Sequence, residues 1–139
     1  MSEHWIEVGR TVELPADIVW EALVDPVLVE GWLHPVERLV PEGSEPPGDR
    51  RRLEVDSRVL GRLRIRLREV RGGPRERSTR LLLEIAPTAG VEDALVVATW
   101  QTRLDQLEDL LHGFPVNWAE WERDQRVAFE EHLRQARRI

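Results

Sequence analysis

The sequence has 139 residues, 26 acidic and 20 basic side chains, a net charge of −6 and no cysteine. That length suits one domain, and the missing cysteines exclude disulfides, thiolate metal sites and thiol nucleophiles. Every basic side chain is arginine, which also excludes lysine Schiff bases and lysine-bearing phosphate loops.

The charge is segregated along the chain. Residues 1–49 hold two Arg against eleven acids, residues 50–80 twelve Arg against four, and residues 81–139 six Arg against eleven. An acidic chain with one basic segment argues against a dedicated nucleic-acid binder. Acids at 54, 56, 69 and 76 interrupt the basic run, and no aromatics interleave there for base stacking. The N-terminal MSEHWIEVGR lacks the basic-then-apolar pattern of a leader, and no apolar run approaches the ~20 residues of a membrane span. A soluble cytoplasmic protein is the expectation.

In chain order, residues 5–14 predict a strand with Ile6, Val8, Val12 and Leu14 on one face, interrupted by Arg10. Either a bulge turns Arg10 outward, or a carboxylate pairs with it, or it holds an anion. Ala16 to Val24 predict a short helix bearing Trp20. Asp25-Pro26 then caps and starts a second, with Leu28, Val29, Trp32 and Leu33, ending near His34-Pro35. Trp20 and Trp32 suit either plain core or a pocket wall. Strands are predicted at 36–40, 51–58, 61–70, 77–86 and 95–103, with a loop at 42–49 and a turn at Gly72-Gly73-Pro74. If Leu53, Val55, Leu63, Ile65, Leu67, Leu81, Leu83 and Ile85 face the core, the arginines between them face solvent. That face is then either an ordinary solvated one, interleaved with acids, or a docking surface for an acidic partner.

Residues 104–111 read as a short amphipathic helix stopped by Gly113, or as a bent strand. Asn117 with Glu120 forms a capping-box variant and Val116 with Trp121 a hydrophobic staple, predicting a long helix from Asn117 to about Arg137. Its stripe gathers Trp118, Trp121, Phe129, Leu133 and Ala136, with Gln125 and His132 near the middle. Such a stripe is expected to face the sheet. Two polar groups within it need a partner from protein, water or ligand, since an unpaired buried polar group costs about 1–3 kcal/mol.

The segment PADIVWEALVDPVLVEGWL, residues 15–33, resembles the N-terminal hallmark of the SRPBCC (START-like, birch-pollen-allergen-like) superfamily. Within it the nearest pattern is that of bacterial homologues of the activator of the ninety-kilodalton heat-shock chaperone ATPase. The matching residues are Arg10, Thr11, Pro15, Val19, Trp20, Ala22, Leu23, Asp25, Pro26 and Trp32. The chain departs from that pattern at Gly113-Phe114-Pro115 and Asn117-Trp118, where a leucine-rich segment precedes the signature. The resemblance implies an α+β helix-grip fold: a curved antiparallel sheet around a long C-terminal helix, two short helices after the first strand, and a cavity between sheet and helix. Members bind lipids, hormones or polyketides, some catalyse cyclisation, and a homodimer is the family-level expectation.

The chemical inventory is sparse. There is no phosphate loop, no nucleophile elbow at Ser44, Ser57 or Ser78, no tyrosine, and no metal-ligand spacing among His4, His34, His112 and His132. No catalytic residue, metal or cofactor is assigned, although His132 with a spatially near carboxylate could do acid/base work. The reading is a binding module for a small hydrophobic or amphipathic ligand, with Trp118, Trp121, Gln125, His132, Trp32 and Arg10 as candidate ligand contacts. The alternatives are a co-chaperone-like protein with a protein partner and a cyclase- or isomerase-type enzyme.

Overall fold

The computed structural model describes residues 5–33, 38–42, 50–57, 61–71, 77–86 and 90–138. The alternating segments pair into a five-stranded antiparallel sheet of β1 (Ile6–Val12), β2 (Arg38–Glu42), β3 (Arg50–Ser57), β4 (Gly61–Arg71) and β5 (Arg77–Ile85), in the order β1-β5-β4-β3-β2. Successive side chains alternate faces, so register aligns whole apolar rows. Leu53, Ile65, Leu83 and Val8 lie abreast, as do Val55, Leu63, Ile85 and Ile6. All eight are buried, and each contributes roughly 1.5–3 kcal/mol by leaving water. Pro41, which cannot donate to a ladder, is tolerated because β2 is an edge strand. The expected 72–74 turn and, apart from Glu42, the expected 42–49 loop lie outside the described residues, as do His4 and the His34-Pro35 helix end.

The other sheet face carries the arginines. Arg62 pairs with Asp56 at 3.7 Å, Arg64 with Glu54 at 3.5 Å and Arg66 with Glu84 at 3.1 Å, so acids of neighbouring strands answer that end of the row. Farther along, Arg68 stands in register between Arg50 and Arg80.

Helix α1 (Ala16–Val24) forms where expected, whereas α2 (Pro26–Val29) starts where expected but stops at Val29, leaving Trp32 and Leu33 beyond the helix. Pro15 offers α1 no side-chain cap, and Glu69 on β4 takes over by accepting the Ala16 N–H at 3.0 Å. Asp25 caps α2 through the Val27 and Leu28 N–H groups at 2.9 and 3.4 Å.

The C-terminal half corrects two sequence expectations. Residues 95–103 are not a strand: α3 runs unbroken from Asp93 to Leu111, which also settles 104–111 as helix. The run Leu95–Trp100 has strand-like composition, but Trp100, Leu104, Leu107 and Leu111 continue at helical spacing with no Gly or Pro between. Thr99 and Thr102 return their hydroxyls to the Leu95 and Ala98 carbonyls, both at 2.8 Å. Gly113, at φ +93°, ends the helix. Its N–H bonds Leu110 O at 2.9 Å while Phe114 N–H bonds Asp109 O at 2.8 Å, the paired pattern of a Schellman motif.

Second, Asn117 does not cap the last helix. It makes a turn of its own, accepting Ala119 N–H on its side chain and Glu120 N–H on its carbonyl, and α4 begins at Trp121 and runs to Arg137. The two long helices cover the apolar sheet face in layers. α3 brings Trp100, Leu104 and Leu107 into the core, whereas α4 lies on α3 and buries no residue fully. An apolar helix displaces a charged one from the sheet because it removes more apolar surface from water. The linker between them is fastened to the end of α2: Val116 N–H bonds Gly31 O at 2.8 Å, and Trp118 Nε1–H bonds Glu30 O at 2.7 Å. Among the described residues, no helix is long and apolar enough to cross a membrane.

Candidate functional site

The six candidate residues fall into three places. Trp32 is core: it is 1% exposed, with its indole N–H on Ala22 O at 3.1 Å. Trp20 packs at the rim of the same core, beneath the Arg51 guanidinium at 5.6 Å.

Arg10 and His132 come together through a residue that the sequence reading passed over. The β1–β5 register is continuous through Arg10, so no bulge turns it away. It reaches across the sheet edge to α3, where Nη1 meets Asp105 Oδ1 at 2.7 Å and Glu108 Oε1 at 3.3 Å, and Nη2 meets Gln101 Oε1 at 2.8 Å. The other Asp105 oxygen lies 2.7 Å from His132 Nε2 on α4. One carboxylate therefore ties strand, α3 and α4 together. Its partners Arg10 and His132 are largely shielded, with side chains 16% and 20% exposed.

Trp121 and Gln125 define the third place. With Phe129, Thr99 and Thr102 they line a cleft of about 120 Å³ between α3 and α4. Trp118 leans on Trp121, with ring centroids 5.8 Å apart and planes at 47°, a tilted aromatic pair. The lining mixes two aromatic rings with two hydroxyls and a carboxamide, so it can accept an apolar body and direct a polar end. Trp121 Nε1 is buried with no hydrogen-bond partner. Thr99 and Thr102 were missed because they fell in the expected strand; their three-residue spacing on a helix was the available signal. Among the described residues, no group of three His, Cys, Asp or Glu could hold a metal ion.

No family model matches the chain, and no curated protein does. Solved structures do match. CalU16 from Micromonospora echinospora is similar in its crystal structure, at 22% identity and TM-score 0.55 over 95% of this chain and 88% of that one. Its solution NMR structure matches at 16% and 0.63, over 96% and 84%. DynU16, from the dynemicin biosynthetic locus, matches at 20% and 0.55 over 82% of this chain and 49% of its own length. MLL2253 from Mesorhizobium loti matches at 16% and 0.56, over 81% and 100%. At such identities the likeness is one of architecture: an antiparallel sheet with long C-terminal helices packed on it, the helix-grip fold.

Proposed function

We propose that this chain is a binding module for a small amphipathic molecule, held in the cleft between α3 and α4. One observation carries the reading: Trp121, whose buried indole N–H has no partner, walls a cleft that Phe129, Gln125, Thr99 and Thr102 also line. A buried donor left unpaired costs about 1–3 kcal/mol, and a ligand acceptor would recover that. Concave sites of mixed apolar and polar lining are where small molecules bind, and a fold of this kind is compatible with ligand binding. The volume of about 120 Å³ suits a single ring or a short chain.

Backbone amide NMR during titration with aryl and short-chain amphipathic fragments tests the reading. The shifts should centre on Thr99, Thr102, Trp121, Gln125 and Phe129. Gln125→Leu should weaken binding by about 1–2 kcal/mol without lowering Tm, because its side chain makes one long bond, to Glu122 O at 3.4 Å. No binding, or shifts centred elsewhere, would remove the cleft from consideration.

A further inference from the structure

Helix α3 carries an arginine at a position with the burial of a core residue. Arg103 is 7% exposed, and its Nε and Nη1 make no hydrogen bond. Its guanidinium lies 5.4 Å from the Trp100 ring centroid and 5.6 Å from that of Trp121. Two cation–π contacts return roughly 0.5–2 kcal/mol each, less than the several kcal/mol needed to strip an ion of water. Burial pushes its pKa down to about 10, so it remains a cation at neutral pH.

Two more unsatisfied groups stand beside it. Gln106, also 7% exposed, has neither amide nitrogen nor oxygen bonded, and Trp121 Nε1 is unpartnered. Thr99, Thr102, Arg103 and Gln106 follow i, i+3, i+4, i+7 spacing, so Arg103 and Gln106 share a side of α3 with the two cleft-lining threonines, and Arg103 lies against the cleft-lining Trp121 ring. Native interiors hold few unsatisfied polar groups. Here an unsatisfied guanidinium and carboxamide share one side of α3, and the guanidinium packs on the ring whose N–H is also unpartnered.

We infer that Arg103 is the counter-ion for a ligand carboxylate, which makes the ligand class a small aryl or short-chain carboxylic acid. A planar guanidinium matches a carboxylate with two parallel N–H bonds, and Trp121 Nε1 and the Gln106 amide supply further donors. The apolar remainder of the acid lies along Trp121 and Phe129. One buried positive charge balances a monoanion, whereas a phosphate dianion would leave a negative charge buried and uncompensated. The inference rests on the cleft being a ligand site and adds the chemistry of its occupant.

Calorimetric titration of the whole chain with phenylacetate and octanoate, each against its neutral counterpart 2-phenylethanol or octan-1-ol, separates the two ideas. The acids should bind the unaltered protein more tightly than the alcohols, and Arg103→Met should weaken the acids by roughly 10- to 100-fold while leaving the alcohols unchanged. Without ligand, Arg103→Met should melt at the same temperature or higher, since an unpaired buried charge has gone. Acid and alcohol binding equally in the cleft would overturn the counter-ion role and leave the cleft standing. If neither binds, both readings fail. The acid–alcohol comparison needs no variant, so misfolding of Arg103→Met would leave the question decidable.

Discussion

Asp105 is the point at which β1, α3 and α4 meet, so replacing it by alanine tests whether that junction holds the layers together. Removing one partner of a fully buried ion pair costs about 3–5 kcal/mol, and an exposed pair contributes about 0.2–1 kcal/mol. Asp105, with its side chain 35% exposed, sits between these limits. Arg10 would keep Glu108 at 3.3 Å and Gln101 at 2.8 Å, so the larger loss falls on His132, which gives up its 2.7 Å contact. Two smaller effects oppose the loss: alanine is the better helix former by roughly half a kcal/mol, and Asp105 no longer disfavours the neighbouring Asp109 charge. The net expectation is about 1–2 kcal/mol, or a Tm lower by on the order of 4–8 °C for a domain of this size. Thermal and urea unfolding of Asp105→Ala, His132→Ala and the double variant should give a coupling of about 0.5–2 kcal/mol. Glu108→Ala, which removes the longer contact, should cost under about 1 kcal/mol. If Asp105→Ala is no worse than Glu108→Ala, and the cycle closes without coupling, the junction is not what joins α4 to the sheet.

Leu104→Ala, at a position 1% exposed, should destabilise by about 2–5 kcal/mol in urea unfolding, and half-buried Leu133→Ala on α4 by less than about 1.5; equal costs would mean that α4, too, reaches the core. Asp109→Asn should raise Tm by on the order of 1 °C at neutral pH. Desolvation first, then Asp105, raises the Asp109 pKa against the smaller opposing pull of His112, so its charge opposes folding above the ordinary carboxylate range. The gain should vanish as pH falls below that range, where the acid is protonated in both states; a gain persisting there would point to a cause other than charge.

The sheet and the first two helices were legible because their signals are local. Leu63, Ile65 and Leu67 alternate cleanly with arginines, and Asp25-Pro26 is a cap whose bonds lie within three residues. Helix α3 was lost because Val96, Val97, Thr99 and Trp100 satisfy strand propensity in a short window, and the helical period emerges when the window extends to Leu111. The same misreading hid Arg103 and Gln106, since a strand would put Thr102 and Arg103 on opposite faces and leave Gln106 in a different element. Trp121 and Gln125 were found from the stripe of α4, although that stripe meets α3 and not the sheet. The partners of Arg10 were beyond any pattern: Asp105 is 95 residues away in the chain, and no periodicity reports a contact made by tertiary folding.

The layering of α4 over α3 makes the molecule unequal in its resistance to opening. Strands β1, β3, β4 and β5 contribute fully buried side chains, and so does α3, while α4 contributes none. Detaching α4 breaks the His132–Asp105 contact, the exposed Arg137–Glu92 pair and the Arg103–Trp121 ring contact, whereas the buried residues of the sheet belong to other elements. Its amides should therefore exchange with solvent through a partial opening, before those of β4 and β5. The last helix should open as a unit of its own, held to α3 by Asp105 and Arg103 and contributing no fully buried residue.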